Sequence, residues 1–133
     1  MNNMNLRLKT THDIEEKLST LQNWLHLSSK AAVMRLGISW SLKNSTKEEL
    51  DKEPIVYDIK QKDGSDYIRM TIFGLDEEFY WYLMANSLKR ELTDDEFFPT
   101  LTSYHIERGV SMLFSEYKYL NDKDKFLKKL LGL

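Results

Sequence analysis

The residues best suited to metal binding or proton transfer are three histidines, and their spacing predicts neither. His12, His26 and His105 lie far apart in the sequence. His105 and Glu107 match a fragment of the zinc deaminase signature, whose other half needs cysteines, and the chain has none. We therefore expect surface or helix-capping roles for the histidines, and no bound metal.

Other catalytic patterns are equally absent from the sequence. Without cysteine there can be no disulfide, thiolate metal site, iron–sulfur cluster or cysteine nucleophile. The glycines form neither a phosphate-binding loop nor a dinucleotide fingerprint, and no G-x-S-x-G elbow occurs. The carboxylates show no pairing typical of a catalytic dyad. We expect a non-enzymatic protein with no cofactor.

Charge is the remaining chemical signal, because it is distributed unevenly along the chain. Residues 1–43 carry six basic and three acidic side chains, a net charge of +3. From Lys118 onward five lysines and two aspartates again give +3, so that residues 44–117 carry −8 of the total of −2. A ligand with a negative field would prefer the two ends. The alternative is a set of solvated faces that merely differ in charge.

Length and composition predict one folded domain over residues 1–133. The 133 residues are 41% hydrophobic and 30% charged, which is typical of a globular protein. There is no apolar segment of a signal peptide, and no run of the ~18–20 apolar residues that span a membrane. These features favour a cytoplasmic protein.

The elements that must position the basic residues begin with a short strand. Segment 5–10 alternates polar and apolar residues, with Leu6 and Leu8 on one face and Arg7 and Lys9 on the other. A helix over 12–26 follows, with Thr10 and Asp13 at the spacing of a capping box. Its predicted apolar stripe is Ile14, Leu18, Leu21 and Leu25.

A second helix is predicted from a serine cap at 28–29 to about residue 42. Ala32, Val33, Leu36 and Trp40 are expected to face inward. Gly37 weakens this helix by up to ~1 kcal/mol relative to alanine. Glycine at such a position often permits close approach of another helix.

Strand, helix, turn and helix within about forty residues is the ribbon-helix-helix pattern. The strand has no nearby partner, so we expect it to pair with its twin from a second chain and present Arg7 and Lys9 to DNA. The free N–H groups at the start of the second helix, next to Lys30, would bind phosphate. The alternative is a capped helix hairpin with an exposed arm.

The rest of the chain is predicted to be a β-hairpin followed by helices. A loop or short helical turn over 44–53 precedes a hairpin at 54–74, whose strands 54–59 and 67–73 flank an Asp-Gly turn. Helices are expected at 76–92, at 100–120 and after Asp122. Their predicted inner faces are Phe79, Leu83, Met84 and Leu88, then Leu101, Ile106, Val110, Leu113 and Tyr117, then Phe126, Leu127, Leu130 and Leu131. The fold class is therefore mainly α, with a ribbon-helix-helix-like start (1–43), a hairpin (54–74) and a helical part (76–133).

Three groups of residues resemble the DndE family, the small protein of bacterial DNA phosphorothioation (Dnd) systems. The first is LRLK at 6–9 followed by KLSTL at 17–21, and the second runs from LS at 27–28 to RLGISWSL at 35–42. The third is TIFG at 71–74 followed by HIERGV at 105–110, which looks like the H-x-x-R-G segment of that family.

The resemblance implies a mostly helical homotetramer that works beside the sulfur-transfer and ATPase partners DndC and DndD. It also implies binding to DNA, with a preference for nicked duplex, through surface Lys and Arg. By motif match the DNA-binding residues are Arg7, Lys9, Lys17 and Arg35, whereas Lys30 rests on the capping argument alone. The aromatic stretch 79–82 is heavier than the family pattern.

Two other functions remain open from the sequence. A ribbon-helix-helix transcriptional regulator would bind a palindrome with a defined half-site spacing. A protein-only assembly adaptor would show no salt-dependent DNA binding. Sequence-tolerant binding that favours nicked DNA would distinguish the phosphorothioation subunit from both.

Overall fold

The computed structural model describes residues 7–52 and 54–133 as a mainly helical fold with a small sheet. Strand β1 (Arg7–Lys9) pairs antiparallel with strand β2 (Asp66–Ile68), and Leu8 lies opposite Tyr67. The helices are α1 (His12–Leu25), α2 (Lys30–Lys43), α3 (Lys47–Asp51), α4 (Arg69–Phe73), α5 (Glu77–Leu88), α6 (Thr102–Leu120) and α7 (Lys123–Leu130). Short 3₁₀ turns lie at Ile59–Gln61 and Gly74–Asp76, and the segment Glu96–Leu101, kinked by extended backbone at Phe98, leads into α6. No helix in this described part is long and apolar enough to cross a membrane.

Side-chain caps fix where three of the helices begin. The hydroxyl of Thr11 accepts the Ile14 N–H of α1 at 3.2 Å, and Ser29 accepts the Ala32 N–H of α2 at 3.1 Å. Asp122 caps α7 as its position predicted. The predicted cap of α1 is wrong by one residue, because Thr10 donates its hydroxyl hydrogen to Glu15 at 2.6 Å instead.

The centre of the core is the contact between α2 and α6, where two glycines meet. A Cβ atom placed on Gly109 would lie 1.7 Å from the carbonyl oxygen of Gly37, so the two backbones touch. This confirms that Gly37 permits a close helix approach, and its partner is a helix of the same chain. The N-terminal α1 and the C-terminal α7 pack on α6 as well.

The contact between α2 and α6 also decides which face of α2 is buried. Val33 is buried as predicted, but Ala32, Leu36 and Trp40 are only half-buried. Only small residues fit against α6 where the backbones touch, so the large side chains of Leu36 and Trp40 lie at the edges of the interface. The residues that α2 buries are Ala31, Val33, Met34, Gly37, Ile38 and Ser41.

Strand β1 was predicted to have no partner in its own chain, but it pairs within that chain. β1 already has β2 as a partner, and Leu8 is buried beneath the pair. The expectation that the strand is an orphan, which was the premise of the two-chain ribbon, is therefore wrong. Leu6 lies outside the described residues.

The predicted hairpin at 54–74 is also wrong. Residues 54–58 have no regular secondary structure, and α4 begins directly after β2. The Asp-Gly turn is used differently, because the Gly64 N–H donates to the Thr10 carbonyl at 2.8 Å and brings β2 alongside β1. The strand that was predicted to pair with residues 54–59 therefore pairs with β1 instead.

The predicted inner faces of the later helices are right for α6 and mixed for α5 and α7. Along α6, Ile106, Val110 and Leu113 are buried as expected. Phe79 of α5 is exposed, and its neighbour Tyr80 is buried in its place. In α7 Phe126 is buried, whereas Leu127 and Leu131 are exposed. Helix α5 ends at Leu88, earlier than predicted.

Candidate nucleic-acid interface

Two of the predicted DNA-binding residues lie on the outer face of β1. Side chains alternate along a strand, so the burial of Leu8 turns Arg7 and Lys9 outward. Lys9 lies opposite Asp66 in the ladder, and its backbone N–H donates to the Tyr57 hydroxyl at 2.8 Å. Arg7 is fully on the surface, whereas Lys9 has a carboxylate as its neighbour in the ladder.

Lys17 lies between α1 and α6, where several contacts hold its side chain, which is only 20% exposed. Its ammonium lies 2.9 Å from Asp13, one turn earlier, and 3.4 Å from the Ser111 hydroxyl of α6. It also lies 5.7 Å from the centre of the Phe114 ring. The ion pair with Asp13 offsets part of the positive charge that the sequence assigned to this position.

Lys30 belongs to a hydrogen-bonded group around Glu15. The Lys30 ammonium, the Tyr67 hydroxyl and the Thr10 hydroxyl all donate to the Glu15 carboxylate, at 2.9, 2.8 and 2.6 Å. Burial alone would raise the pKa of Glu15, but these hydrogen bonds outweigh it and hold the pKa below its usual value. Burial, together with that carboxylate, raises the pKa of Tyr67. This group joins α1, α2 and β2.

Arg35 has a structural contact within the core of the fold. Its guanidinium donates to the carbonyl oxygen of Ile72 at 2.7 Å and so links α2 to α4. The side chain is half-buried. The five predicted residues are therefore placed at different points of the surface, and three of them also hold helices together.

The two basic ends of the sequence meet at Phe114. Lys17 of α1 and Lys118 of α6 both lie over its ring, at 5.7 and 5.4 Å from the centroid. Close by in the fold, Trp24 of α1 contacts the rings of Tyr117 and Phe126. We call Lys17, Phe114 and Lys118 the basic junction. The sequence placed Lys118 in the basic C-terminal end but not among the five predicted DNA-binding residues, although its spacing of four residues from Phe114 on a helix is a local signal for this contact.

The H-x-x-R-G segment forms a buried polar contact between α6 and α2. His105 Nδ1 lies 2.7 Å from the Ser41 hydroxyl, and both residues are buried. Arg108 donates to the Ser41 carbonyl at 2.7 Å, to the Asn44 carbonyl at 2.9 Å and to the Ser45 hydroxyl at 2.7 Å. These bonds close the C-terminal end of α2, whose last carbonyls lack helical partners.

The protonation state of His105 follows from this environment. Burial and the nearby Arg108 cation lower the pKa of His105 to about 4. Arg108 also donates to the Ser41 hydroxyl oxygen at 3.1 Å, which leaves the hydroxyl hydrogen free to bond the neutral imidazole. His105 is thus a packed core histidine, so the predicted surface or capping role is wrong for it. Among the described residues no group of three or more His, Asp or Glu side chains is arranged to hold a metal ion.

The structure is that of a small helical protein with a hydrophobic core, a buried polar contact between α2 and α6, and cationic residues on its surface. The family model described as "DNA sulphur modification protein DndE" matches residues 7–121, which is most of the chain. The chain therefore belongs to the DndE family, and the resemblance seen in the sequence is confirmed. A comparison with curated proteins finds no match. The matched region ends at Asn121, so that α7 lies beyond it.

Proposed function

We propose that this chain is a non-enzymatic, DNA-binding accessory subunit of DNA phosphorothioate modification. Its membership of the DndE family places it in DNA sulfur modification. The observation that carries the DNA-binding part is the basic junction, where Lys17 and Lys118 from the two basic ends of the sequence share one aromatic ring. A patch of positive charge that draws on both ends attracts a phosphate backbone more strongly than either end alone.

The proposed DNA-binding residues are Arg7, Lys9, Lys17, Lys30 and Arg35, together with Lys118. An ammonium has three donors, so Lys17 and Lys30 keep hydrogen-bonding capacity beyond their carboxylate partners. Such contacts fix position on the duplex without reading bases. We therefore expect binding that tolerates any sequence and, as in the family it resembles, prefers nicked duplex.

The protein would act with partners. The chain has no thiol that could carry a persulfide, so the sulfur chemistry falls to a DndC-type protein and ATP hydrolysis to a DndD-type protein. We also propose that the chain self-associates, as a tetramer by family resemblance. Self-association would multiply the number of such patches, and their total charge, by the number of copies.

The test is a DNA-binding titration with three matched double variants. Arg7→Gln with Lys9→Gln removes the strand cations, and Lys17→Gln with Lys118→Gln removes those of the basic junction. The control is Lys52→Gln with Lys89→Gln, two exposed lysines from the acidic middle of the chain. Every variant loses the same charge, so that only the position of the charge differs.

Fluorescence anisotropy with intact, nicked and single-stranded DNA, over a range of salt concentrations, gives the readout. Log affinity of the parent should fall with log salt by about 0.9 per phosphate contacted, and each test variant should lower that slope by up to about 2. The control should leave affinity and slope unchanged. Test variants that match the control would place the DNA surface elsewhere. A parent that shows no salt-dependent binding would refute DNA binding and favour the protein-only adaptor.

A further inference from the structure

Helix α5 is apolar on two opposite faces. Tyr80, Met84 and Leu88 point into the core. On the other side Leu75, just before the helix, and Phe79 and Tyr82 within it are 96%, 60% and 63% exposed. Phe79 and Tyr82, three residues apart, share one face of α5, and Leu75 lies in the 3₁₀ turn just before it. We call these three residues the α5 stripe. An exposed apolar patch of this kind marks an interaction surface.

The charges beside the α5 stripe restrict the kind of partner that fits it. Asp76 and Glu78 are exposed next to the stripe, and the sequence has no Lys or Arg between Leu75 and Leu88. Two copies of this stripe facing each other would bring their carboxylates together, which is unfavourable. A basic amphipathic helix would instead cover the apolar side chains and pair with the acidic edge.

This chain carries a helix of that type at α7. From Lys123 to Leu133 there are four lysines and one aspartate, a net charge of +3. Lys129 already pairs with Glu116 of α6 at 2.8 Å, which leaves an excess of about two positive charges for a partner. Phe126 is buried against Trp24 and anchors the helix. Leu127 and Leu131, one turn apart, are 42% and 72% exposed, so the apolar side of α7 extends beyond what its own chain covers.

We propose that α7 of one copy docks on the α5 stripe of another copy. Within one chain α7 packs on α6, whereas α5 packs chiefly on α4, α2 and the Glu96–Leu101 segment, so the two surfaces belong to different parts of the molecule. The contact is therefore heterologous, with a different surface from each partner, and such contacts close into rings or extend into chains. This inference rests on the self-association in the proposed function and not on DNA binding.

Two double variants remove one side of the contact each. Leu75→Lys with Phe79→Lys places positive charge on the stripe, and Leu127→Glu with Leu131→Glu places negative charge on α7. All four side chains are exposed, so folding should be retained and is checked by circular dichroism. Val56→Lys with Ile59→Lys makes the same kind of change at two exposed apolar residues outside both surfaces and is the control.

Sedimentation of each protein alone and in mixtures tests the proposal. Each test variant alone should self-associate at least tenfold more weakly than the parent, and the control should stay within about twofold. Mixing the two test variants should restore association, because one still has an intact stripe and the other an intact α7.

Other results would overturn the inference. A mixture that does not associate would indicate a contact between identical surfaces. Test variants that associate like the parent would place self-association on another surface and leave the proposed function standing. A parent that sediments as a 15.8 kDa monomer would refute both this contact and the proposed self-association, while DNA binding is measured separately.

Discussion

Replacing Gly109 with alanine tests whether the contact between α2 and α6 organises the fold. The added Cβ would lie 1.7 Å from the carbonyl oxygen of Gly37 and 2.3 Å from its carbonyl carbon. Ordinary contacts between such atoms begin at about 3.5 Å. Both neighbouring atoms belong to the backbone, so no side-chain rotation can relieve the overlap. The helices must separate by roughly 2 Å, or one must deform.

The expected cost follows from two opposing contributions. Alanine favours a helix over glycine by up to about 1 kcal/mol. Forcing an extra carbon into a packed core typically costs about 1–3 kcal/mol, and because the backbone must move here we take roughly 3–5 kcal/mol. Separation would also loosen Met34 and Ile38 of α2 from Val110 of α6, all of which are buried. We expect Gly109→Ala to lower the free energy of unfolding by about 2–4 kcal/mol, which corresponds to a melting temperature roughly 10 °C lower.

Urea unfolding followed by circular dichroism gives the measurement. Gly37→Ala is an informative comparison, because its Cβ would meet the Val110 methyl carbon at 2.9 Å and the Val110 backbone nitrogen at 3.0 Å, a milder overlap. We expect a loss of about 1 kcal/mol there. Ser115→Ala, exposed on α6, controls for helix propensity and should change little. A Gly109→Ala protein as stable as the parent would refute the close backbone contact.

Two further predictions concern the polar contact beside that crossing. Arg108→Met removes the donors to Ser41, Asn44 and Ser45, and urea unfolding should show a loss of about 1–3 kcal/mol because the buried Ser41 loses a charged donor. The His105 pKa of about 4 lies below its unfolded value, so the unfolded chain binds more protons at acid pH, and stability decreases as the pH is lowered. We expect a loss of about 2 kcal/mol between pH 7 and pH 5. His105→Gln should remove most of that loss, and a parent with flat stability over this range would contradict the assignment.

The features that the sequence predicts well are those that neighbouring residues determine. The cap of α7 at Asp122 and the buried stripe of α6 depend on residues within a few turns of each other. The sequence predicts that Gly37 permits close approach of another helix, because a glycine inside a helix often has a packing reason. Its partner Gly109 lies in a segment recognised for family resemblance, whose packing role no local pattern reveals.

The errors arise where distant segments compete for the same partner. Alternation identified a strand at β1, but it cannot say which strand completes the sheet. The Tyr67 segment pairs with Leu8 rather than with residues 54–59. The Gly64 contact with Thr10 lies just beyond the ends of these two strands and holds that pairing in place. No local sequence pattern predicts this long-range strand pairing in preference to a local hairpin.

In the candidate site, too, the sequence predicts which residues are cationic but not which distant groups they contact. The sequence located the cations, but it did not show that Lys30 binds Glu15, fifteen residues earlier, or that Arg35 binds Ile72, thirty-seven residues later. The Asp13 partner of Lys17 was within reach of sequence reasoning because it lies one helical turn away. Charge counts therefore overstate the positive field wherever a tertiary carboxylate lies nearby.

The buried location of the H-x-x-R-G segment separates stability from DNA binding in this protein. Ser41 and His105 are almost fully shielded from solvent, so neither can touch a phosphate. Substitutions there should shift the unfolding curve and leave the DNA affinity of the folded protein intact. Substitutions at Arg7 or Lys118 should do the reverse, because these side chains lie on the surface and fix no helix end. If substitution of His105 weakened DNA binding in a protein that stayed folded and assembled, the DNA surface would have to include the C-terminal end of α2, where Arg108 holds the last carbonyls.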